Sequence, residues 1–209
     1  MKLFDMDGTL IDSNNVWLQI DLDFLAKRSL SHSDEYSQRM AHSIFPVAAR
    51  LTKEYYHLPD SPEEIMEEWL FMARDAYANQ IPLKSGAKEY LNQCRSEGTL
   101  LTLITAGMPE LCQLVLERHG LVGYFSRIMY VQQMGLEKNN PEVFRIAAAQ
   151  LGVREKQCTL YDDSPAACAA AKEAGMHVVG VFDPFYAGFE EEMTGFCDDY
   201  LHSFTELLY

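Results

Sequence analysis

The sequence has few basic residues for its number of acidic ones, and this imbalance limits its partners. Lys and Arg number 17 against 31 Asp and Glu, so the formal net charge of the 209 residues is −14. Binding to a nucleic-acid backbone or to an anionic membrane surface needs clustered positive charge. We therefore expect neither nucleic acid nor a membrane surface as the main partner.

The sequence also lacks the apolar segments that direct a chain into or across a membrane. No apolar run approaches the roughly 20 residues that a membrane-spanning helix needs. The chain begins MKLFDMDG, which has an acid at position 5 and none of the apolar core of a signal peptide. These absences predict a cytoplasmic protein.

Cysteines at the spacing of a disulfide framework or a zinc site are missing as well. The five cysteines are odd in number and scattered, and no Cys-x-x-Cys occurs. We expect reduced thiols rather than bridges or metal ligands. The loops Gly-x-Gly-x-x-Gly and Gly-x-x-x-x-Gly-Lys are absent too, which disfavours a dinucleotide- or nucleotide-binding protein.

From residue 83 onward, strand-like and helix-like segments alternate, and a further short strand begins the chain. The run LLTLIT at 100–105 is almost continuously apolar, which is typical of a buried parallel strand. This alternation predicts an α/β fold with a Rossmann-like parallel sheet. The predicted strands are 2–6, 100–105, 127–131, 158–161 and 177–182, and the predicted helices between them are 86–97, 109–119, 141–151 and 165–174. We expect the sheet to end with the strand at 177–182, and the acidic residues 190–192 to be solvated.

Between residues 14 and 82 the pattern predicts helices only. Val16, Ile20 and Phe24 recur at helical spacing, and residues 34–56 and 61–79 also have helical character. Asp21 and Asp23 are expected on a solvated face of the first helix. The sequence therefore predicts an α/β core of residues 1–13 and 83–209 with an inserted all-helical domain of residues 14–82.

Polar side chains stand where the predicted strands end. Because the carboxyl ends of parallel strands meet at one edge of a sheet, we expect these side chains to lie close together. Carboxylates so placed repel one another unless a cation lies between them, and oxygen ligands of this kind suit Mg²⁺. A lysine and a threonine nearby suit an anionic group, so the edge fits phosphoryl transfer. The side chains are those of Asp5, Asp7, Thr105, Lys138, Asp162 and Asp163.

Four segments resemble, in order, the four motifs of the haloacid dehalogenase-like (HAD) phosphohydrolase superfamily. DMDGTLIDS at 5–13 resembles the first motif, and LITAG at 103–107 resembles the second. KNNPEVF at 138–144 resembles the third, and YDDS at 161–164 with AAKEAGM at 170–176 resembles the fourth. The helical insert resembles the cap domain of the beta-phosphoglucomutase and phosphoglycolate phosphatase branch. Together the resemblance covers essentially the whole chain.

The resemblance implies roles for the acids. Asp5 would be the nucleophile that forms an aspartyl-phosphate, and it would also be one of the metal ligands. Asp7 would protonate the leaving oxygen and then activate water, with its backbone carbonyl facing the metal. Asp163 would bind Mg²⁺ directly, and Asp162, which stands where many relatives have Glu, would bind it or hydrogen-bond beside it. A structural alternative stays open for Asp163, because Asp-Ser-Pro is also typical of the start of a helix.

The resemblance also implies a phosphate-binding set. Thr105 and Lys138 would hold phosphoryl oxygens, and Gly8 and Ala106 would line the same place. Asn139 replaces the proline usual in the third motif, which loosens that loop without removing the charge of the lysine.

The substrate would be selected by the cap, where the sequence is least informative. The candidates for substrate contact are Ser13, Trp17 and His42, with Asn14, Gln19 and Tyr77 as further polar or aromatic residues on that side. A tryptophan on an amphipathic helix is more often packed in a core than bound to a ligand. We place His42 in a bend between helices.

The resulting hypothesis is a Mg²⁺-dependent phosphatase of a small phosphorylated metabolite, with a sugar phosphate favoured. The first alternative is a beta-phosphoglucomutase-type isomerase that uses the same aspartate. In those mutases a polar His occupies the position that aligns with Trp17, which favours the phosphatase here. The second alternative is a non-catalytic protein that binds a phosphorylated ligand. The resemblance also implies a monomer.

Overall fold

The computed structural model describes residues 1–40 and 45–209, and these form two compact units. One unit comprises Met1–Asn14 and Ile81–Tyr209, and the other comprises Asn15–Gln80. The predicted insert was 14–82, one residue longer at its start and two at its end. Its role as a cap stays a prediction.

The first unit is built on a six-stranded sheet in which every pairing is parallel. The strands, numbered along the chain, have the spatial order β3-β2-β1-β4-β5-β6. The α/β prediction is confirmed. The strands are β1 (Lys2–Phe4), β2 (Leu101–Thr105), β3 (Arg127–Tyr130), β4 (Thr159–Asp162), β5 (His177–Val181) and β6 (Asp199–Leu201).

Nine α-helices lie in the described part of the chain. Four begin between residues 14 and 62: α1 (Asn14–Lys27), α2 (Asp34–Met40), α3 (Phe45–Tyr56) and α4 (Pro62–Asn79). Five flank or follow the strands: α5 (Ala87–Ser96), α6 (Pro109–Arg118), α7 (Pro141–Gln150), α8 (Pro165–Ala174) and α9 (Glu190–Phe196). None of these helices combines the length and the apolar composition that crossing a bilayer requires.

Alternation along β1 buries its two faces in different surroundings. Leu3 belongs to the apolar cluster formed with residues of α7 and α8. Phe4 points the other way, where its ring stacks on Tyr161 at 4.6 Å between centroids and meets the edge of Tyr90 from α5 at 6.3 Å. Since side chains alternate along a strand, one short strand thereby joins both helical layers to the sheet.

The order of the strands places a crevice beside β1. Phe4 pairs with Leu103 of β2 on one side and with Tyr161 of β4 on the other. The chain runs outward from β1 in both directions, so the connection direction reverses between β1 and β4. In sheets of this kind, ligands bind beyond the carboxyl ends of the strands at such a reversal.

In the second unit, helix α4 begins as its sequence predicts. The Ser61 hydroxyl accepts the N–H of Glu64, and the Glu64 carboxylate accepts the N–H of Ser61 at 2.7 Å. Pro62 occupies the first turn, where its missing N–H costs no helical hydrogen bond. The helices of this unit enclose Phe24, Ile65 and Trp69, all buried.

The sheet does not end where the sequence analysis placed its end. A sixth strand, β6, pairs with β5 after the intervening helix α9. The acidic residues 190–192 form the first turn of α9, a position that the helix dipole favours for negative charge. With only three residues, beginning with an aspartate, β6 has too short a pattern to show in the sequence.

Candidate active site

Three buried carboxylates meet at the carboxyl ends of β1 and β4. Asp5 follows β1 directly, Asp162 ends β4, and Asp163 comes next. One oxygen from each lies within 4.8 Å of the others. The parallel register explains this, because the N–H of Asp5 donates to the carbonyl of Tyr161 at 2.9 Å and so places the residues after both strands side by side.

Lys138 supplies positive charge to this cluster. Its Nζ bonds to Oδ1 of Asp5 and lies 2.7 Å from Oδ2 of Asp162. The lysine side chain is only 11% exposed. Burial by itself would lower the pKa of Lys138, but the charges of Asp162 and Asp5 outweigh it and raise the pKa. Lys138 therefore stays protonated and bridges two of the three acids.

The acids themselves are held in an unfavourable setting. Burial raises the pKa of Asp5 well above its usual range, an effect that the Lys138 charge opposes and the Asp162 charge reinforces. Burial and the Asp162 charge raise the pKa of Asp163 to about 7. Both shifts have the direction expected for carboxylates crowded away from water. The positive charge of a divalent cation among these oxygens would oppose both shifts.

Asp163 is bound on both of its oxygens by neutral donors. The Thr9 hydroxyl donates to Oδ1 at 2.9 Å, and the Asn14 side-chain amide donates to Oδ2 at 2.8 Å. Neither contact was predicted. Thr9 was seen only as part of a motif, and Asn14 only as a residue on the substrate side.

The alternative that Asp163 only begins helix α8 is wrong. Ser164 is the N-cap of α8, and the N–H of Ser164 donates to Oδ1 of Asp162 at 2.9 Å.

Gly8 makes this close packing possible. Its φ of +77° lies in the left-handed region, and a Cβ there would stand 2.2 Å from Nδ2 of Asn14 and from Oδ2 of Asp163. The predicted phosphate-lining glycine thus also lies against the pair Asn14–Asp163. A glycine is required there on both grounds.

Asp7 lies apart from the cluster of three and makes different contacts. Ser13 donates its hydroxyl to Oδ1 of Asp7 at 2.8 Å. Oδ2 faces Gly107, where a Cβ would approach it to 3.0 Å. Ser13 was predicted to contact substrate. The structure buries Ser13 with its hydroxyl on Asp7, and its contact with substrate stays a prediction.

The turn after β2 holds the predicted phosphate-binding residues in one tight bend. The buried Thr105 hydroxyl accepts the N–H of Gly107 at 2.9 Å. Ala106 is exposed, and its carbonyl accepts the side-chain amide of Gln132 at 3.2 Å. The sulfur of Cys112, also buried, lies against Gly107, and burial raises the pKa of its thiol to about 12. A Cβ at Gly107 would lie 3.1 Å from the Thr105 hydroxyl and 3.0 Å from Oδ2 of Asp7, so both side chains face this bend.

The other predicted substrate residues belong to the helical unit. Trp17 is half-buried, with its ring edge-on to Phe45 at 5.7 Å between centroids, and Tyr77 is buried. Gln19 donates to the Asp23 carboxylate at 2.9 Å. His42 lies outside the described residues.

A buried ion pair that the sequence analysis missed supports the rim of the site. Lys84 Nζ lies 2.5 Å from Oδ2 of Asp183, and Oδ1 of Asp183 accepts the N–H of Phe185 at 2.9 Å. The Lys84 N–H donates to the carbonyl of Leu10 at 2.9 Å. The pair therefore fixes the loop after β5 to the loop after β1. Nothing local in the sequence shows that Lys84 reaches Asp183.

The sequence is similar to a family of hydrolases and to proteins named as phosphatases. The sequence profile of the haloacid dehalogenase-like hydrolase family matches residues 2–181. Hexitol phosphatase B of Escherichia coli K12 is 28% identical over 185 aligned residues, covering 87% of this chain and 83% of that protein. The phosphorylated carbohydrates phosphatase of Thermotoga maritima is 23% identical over 178, covering 83% of this chain and 81% of that protein.

The fold is shared with solved structures as well. A crystal structure from Thermotoga maritima, assigned as a beta-phosphoglucomutase, superposes with a TM-score of 0.83 at 20% identity, covering 99% of this chain and 95% of that one. The profile match spans most of the chain and includes the three clustered acids and Lys138. The chain therefore belongs to the haloacid dehalogenase-like hydrolase family.

Proposed function

We propose that the protein is a Mg²⁺-dependent phosphatase that hydrolyses a small phosphorylated metabolite of the sugar phosphate class through an aspartyl-phosphate on Asp5. The observation that carries the proposal is the buried cluster of Asp5, Asp162 and Asp163 with Lys138 at the carboxyl ends of β1 and β4. The phosphatases among its relatives support the reaction type.

The cluster fits a divalent cation by its donors and by its charge. Three carboxyl groups stand against one lysine, and two of them bond to that lysine while Asp163 is held by uncharged groups. Hard oxygen ligands in small number suit Mg²⁺, which keeps waters and binds substrate phosphate. Asp5, Asp162 and Asp163 would hold the ion, and when bound it supplies charge neutralisation for the phosphoryl group.

In the first half-reaction, an oxygen of Asp5 attacks phosphorus. A bond forms between that oxygen and phosphorus as the bond from phosphorus to the leaving oxygen breaks. Asp7 gives its proton to the leaving oxygen, so the alcohol departs neutral. Lys138 and Thr105 hold the phosphoryl oxygens, which positions the group in line with Asp5 and neutralises its charge.

The second half-reaction restores the enzyme. A water attacks the phosphorus of the aspartyl-phosphate and gives a proton to Asp7. The bond from phosphorus to the Asp5 oxygen breaks, and inorganic phosphate leaves. Ser13, which donates to Oδ1 of Asp7 at 2.8 Å, orients that carboxyl for both proton transfers.

The substrate class is supported by the relatives rather than by the described side chains. One relative is named for hexitol phosphates and another for phosphorylated carbohydrates. The inserted helical unit would be the cap that selects among such compounds, with Trp17 and His42 as the candidates within it.

A mutase of the beta-phosphoglucomutase type is the second candidate. A solved structure of the same fold is assigned to that activity. Such an enzyme would pass the phosphoryl group from Asp5 to a second hydroxyl of the sugar rather than to water. The family's mutases carry a His where this chain has Trp17, and this difference favours the phosphatase.

The test is phosphate release from p-nitrophenyl phosphate and from a panel of hexose, hexitol and pentose phosphates, with Mg²⁺ and with EDTA. We expect Mg²⁺-dependent release that falls at least about 10³-fold in Asp5→Asn, the scale of losing a nucleophile. Asp199→Asn, an exposed aspartate at the amino end of β6, serves as the matched control and should retain activity.

Two results would decide against the proposal. Turnover of Asp5→Asn near that of the unchanged protein would exclude Asp5 as the nucleophile. Conversion of glucose 1-phosphate into glucose 6-phosphate without free phosphate would assign the mutase instead.

A further inference from the structure

Asn14 occupies an unusual place relative to the acid cluster. It is the first residue of α1 and the last residue of the amino-terminal segment, Met1–Asn14, of the first compact unit. Its side-chain amide donates to Oδ2 of Asp163 at 2.8 Å, across 149 positions of sequence. The proposed reaction assigns no task to Asn14.

The contact is built into the fold rather than incidental. Gly8 runs beneath both partners, and any side chain there would come within 2.2 Å of the amide nitrogen of Asn14 and of Oδ2 of Asp163. The Thr9 hydroxyl holds the other oxygen, Oδ1, at 2.9 Å. Donors on both oxygens fix the rotation of the Asp163 carboxylate, because turning it would break one hydrogen bond or the other.

The chemistry of Asn14 suits this task. An amide donates a hydrogen bond without adding charge, so the negative charge of Asp163 is left for a cation. A lysine at position 14 would compete with that cation, and an acid would repel Asp163. Asp5 and Asp162 already bond to Lys138, so Asp163 is the cluster acid whose described contacts are both with uncharged groups.

We propose that Asn14 is a positioning residue that holds the Asp163 carboxylate ready for a divalent cation. The inference rests on the proposed function only in taking Asp163 as a metal ligand. A ligand that is already oriented loses little freedom on binding, and groups that orient metal ligands typically change metal affinity by about 10- to 100-fold.

The test measures metal binding directly, in the absence of substrate. Mn²⁺ is titrated into the metal-free protein and followed by electron paramagnetic resonance, with Mg²⁺ added as a competitor. Asn14→Leu, which keeps the size and removes the donor, is expected to raise the dissociation constant for Mn²⁺ about 10- to 100-fold. Asn15→Ala, an exposed asparagine next along the chain, is the matched control and should bind as the unchanged protein does.

Kinetics separate positioning from a general structural defect. In Asn14→Leu, the Mg²⁺ concentration for half-maximal rate should rise by the same factor as the dissociation constant for Mn²⁺, and the rate lost at low Mg²⁺ should be recovered as Mg²⁺ is raised. Thr9→Val removes the donor to the other oxygen and should weaken Mn²⁺ binding in the same way. It provides the measurement if Asn14→Leu does not fold.

The outcomes distinguish this inference from the proposed function. Unaltered Mn²⁺ affinity in Asn14→Leu, with Mg²⁺-dependent hydrolysis intact, would overturn the role of Asn14 alone. Weakened Mn²⁺ binding in a protein that hydrolyses no phosphate ester would uphold it and remove the phosphatase. An unchanged protein that binds no Mn²⁺ would overturn both.

Discussion

At the residue scale, the charge balance of the buried acids depends on Lys138. Its Nζ bonds to Asp5 and Asp162, and its side chain is 11% exposed. Removing one partner from a buried ion pair leaves an uncompensated charge, which costs much more than the intact pair contributes. Lys138 is therefore both a group that binds phosphoryl oxygens in the proposed reaction and a structural requirement of the metal-free protein.

Lys138→Met should lower both activity and stability. It leaves the carboxylates of Asp5 and Asp162 without their lysine, so we expect a loss of about 3–5 kcal/mol in the free energy of unfolding in EDTA. Urea denaturation measures this, with the exposed Lys156→Met as control. If Lys138→Met is as stable in EDTA as the control, Lys138 does not balance the charge of Asp5 and Asp162.

The sequence predicted the acids but not the residues that orient them. Asp5, Asp162 and Asp163 lie at or directly after the ends of strands, and strand ends can be located from apolar runs and motifs. The bond between Asn14 and Asp163 depends on β1 lying beside β4, a pairing across more than 150 residues. No local pattern encodes that pairing, so Asn14 could be noticed only as polar.

At the scale of elements, the helical unit contains a buried polar network. It lies on part of the α1 face that the sequence predicted to be solvated. Tyr36 of α2 is 1% exposed, and its hydroxyl contacts Oδ1 of Asp21 at 2.8 Å and Oγ1 of Thr52 at 2.9 Å. The prediction of a solvated face is wrong for Asp21, although Asp23 is exposed. The periodicity of α1 gives no sign that a tyrosine from another helix covers position 21.

This network makes the stability of the protein depend on pH. Burial raises the pKa of Asp21 above its unfolded value, against the opposing hydrogen bond from Tyr36. The unfolded chain therefore loses this proton at lower pH than the folded one. Below the unfolded pKa of about 3.9, Asp21 is protonated in both states and costs no stability. Above the folded pKa, Asp21 is ionised in both states, and the loss of stability from its buried charge is complete.

Asp21→Asn should remove that cost. The melting temperature of the variant minus that of the unchanged protein should grow as pH rises from 4 to 7. His32→Gln is introduced into both proteins, because His32 Nε2 lies 3.6 Å from Oδ2 of Asp21 and would complicate the comparison. Melting curves that stay parallel across this range, or that converge as pH rises, would contradict the assignment.

At the scale of the whole molecule, the acids of the proposed site all come from one compact unit. Asp5, Asp7, Asp162 and Asp163 belong to Met1–Asn14 and Ile81–Tyr209, two stretches of chain on either side of the helical insert. The alternation of strands and helices predicted the parallel sheet, because each helix between two strands is long enough to be recognised from its sequence pattern. It could not predict β6, whose three residues show no pattern, and monomeric state and cytoplasmic location stay predictions.

The most direct test of the account is to trap the phosphoryl group during turnover. The protein is mixed with substrate and Mg²⁺, quenched in acid within milliseconds, digested and mapped by mass spectrometry. The account predicts a phosphate on the peptide that contains Asp5. This phosphate should disappear once the substrate is used up, and it should be absent from Asp5→Asn. Rapid release of inorganic phosphate with no phosphorylated residue, or with a phosphorylated residue other than Asp5, would contradict the account.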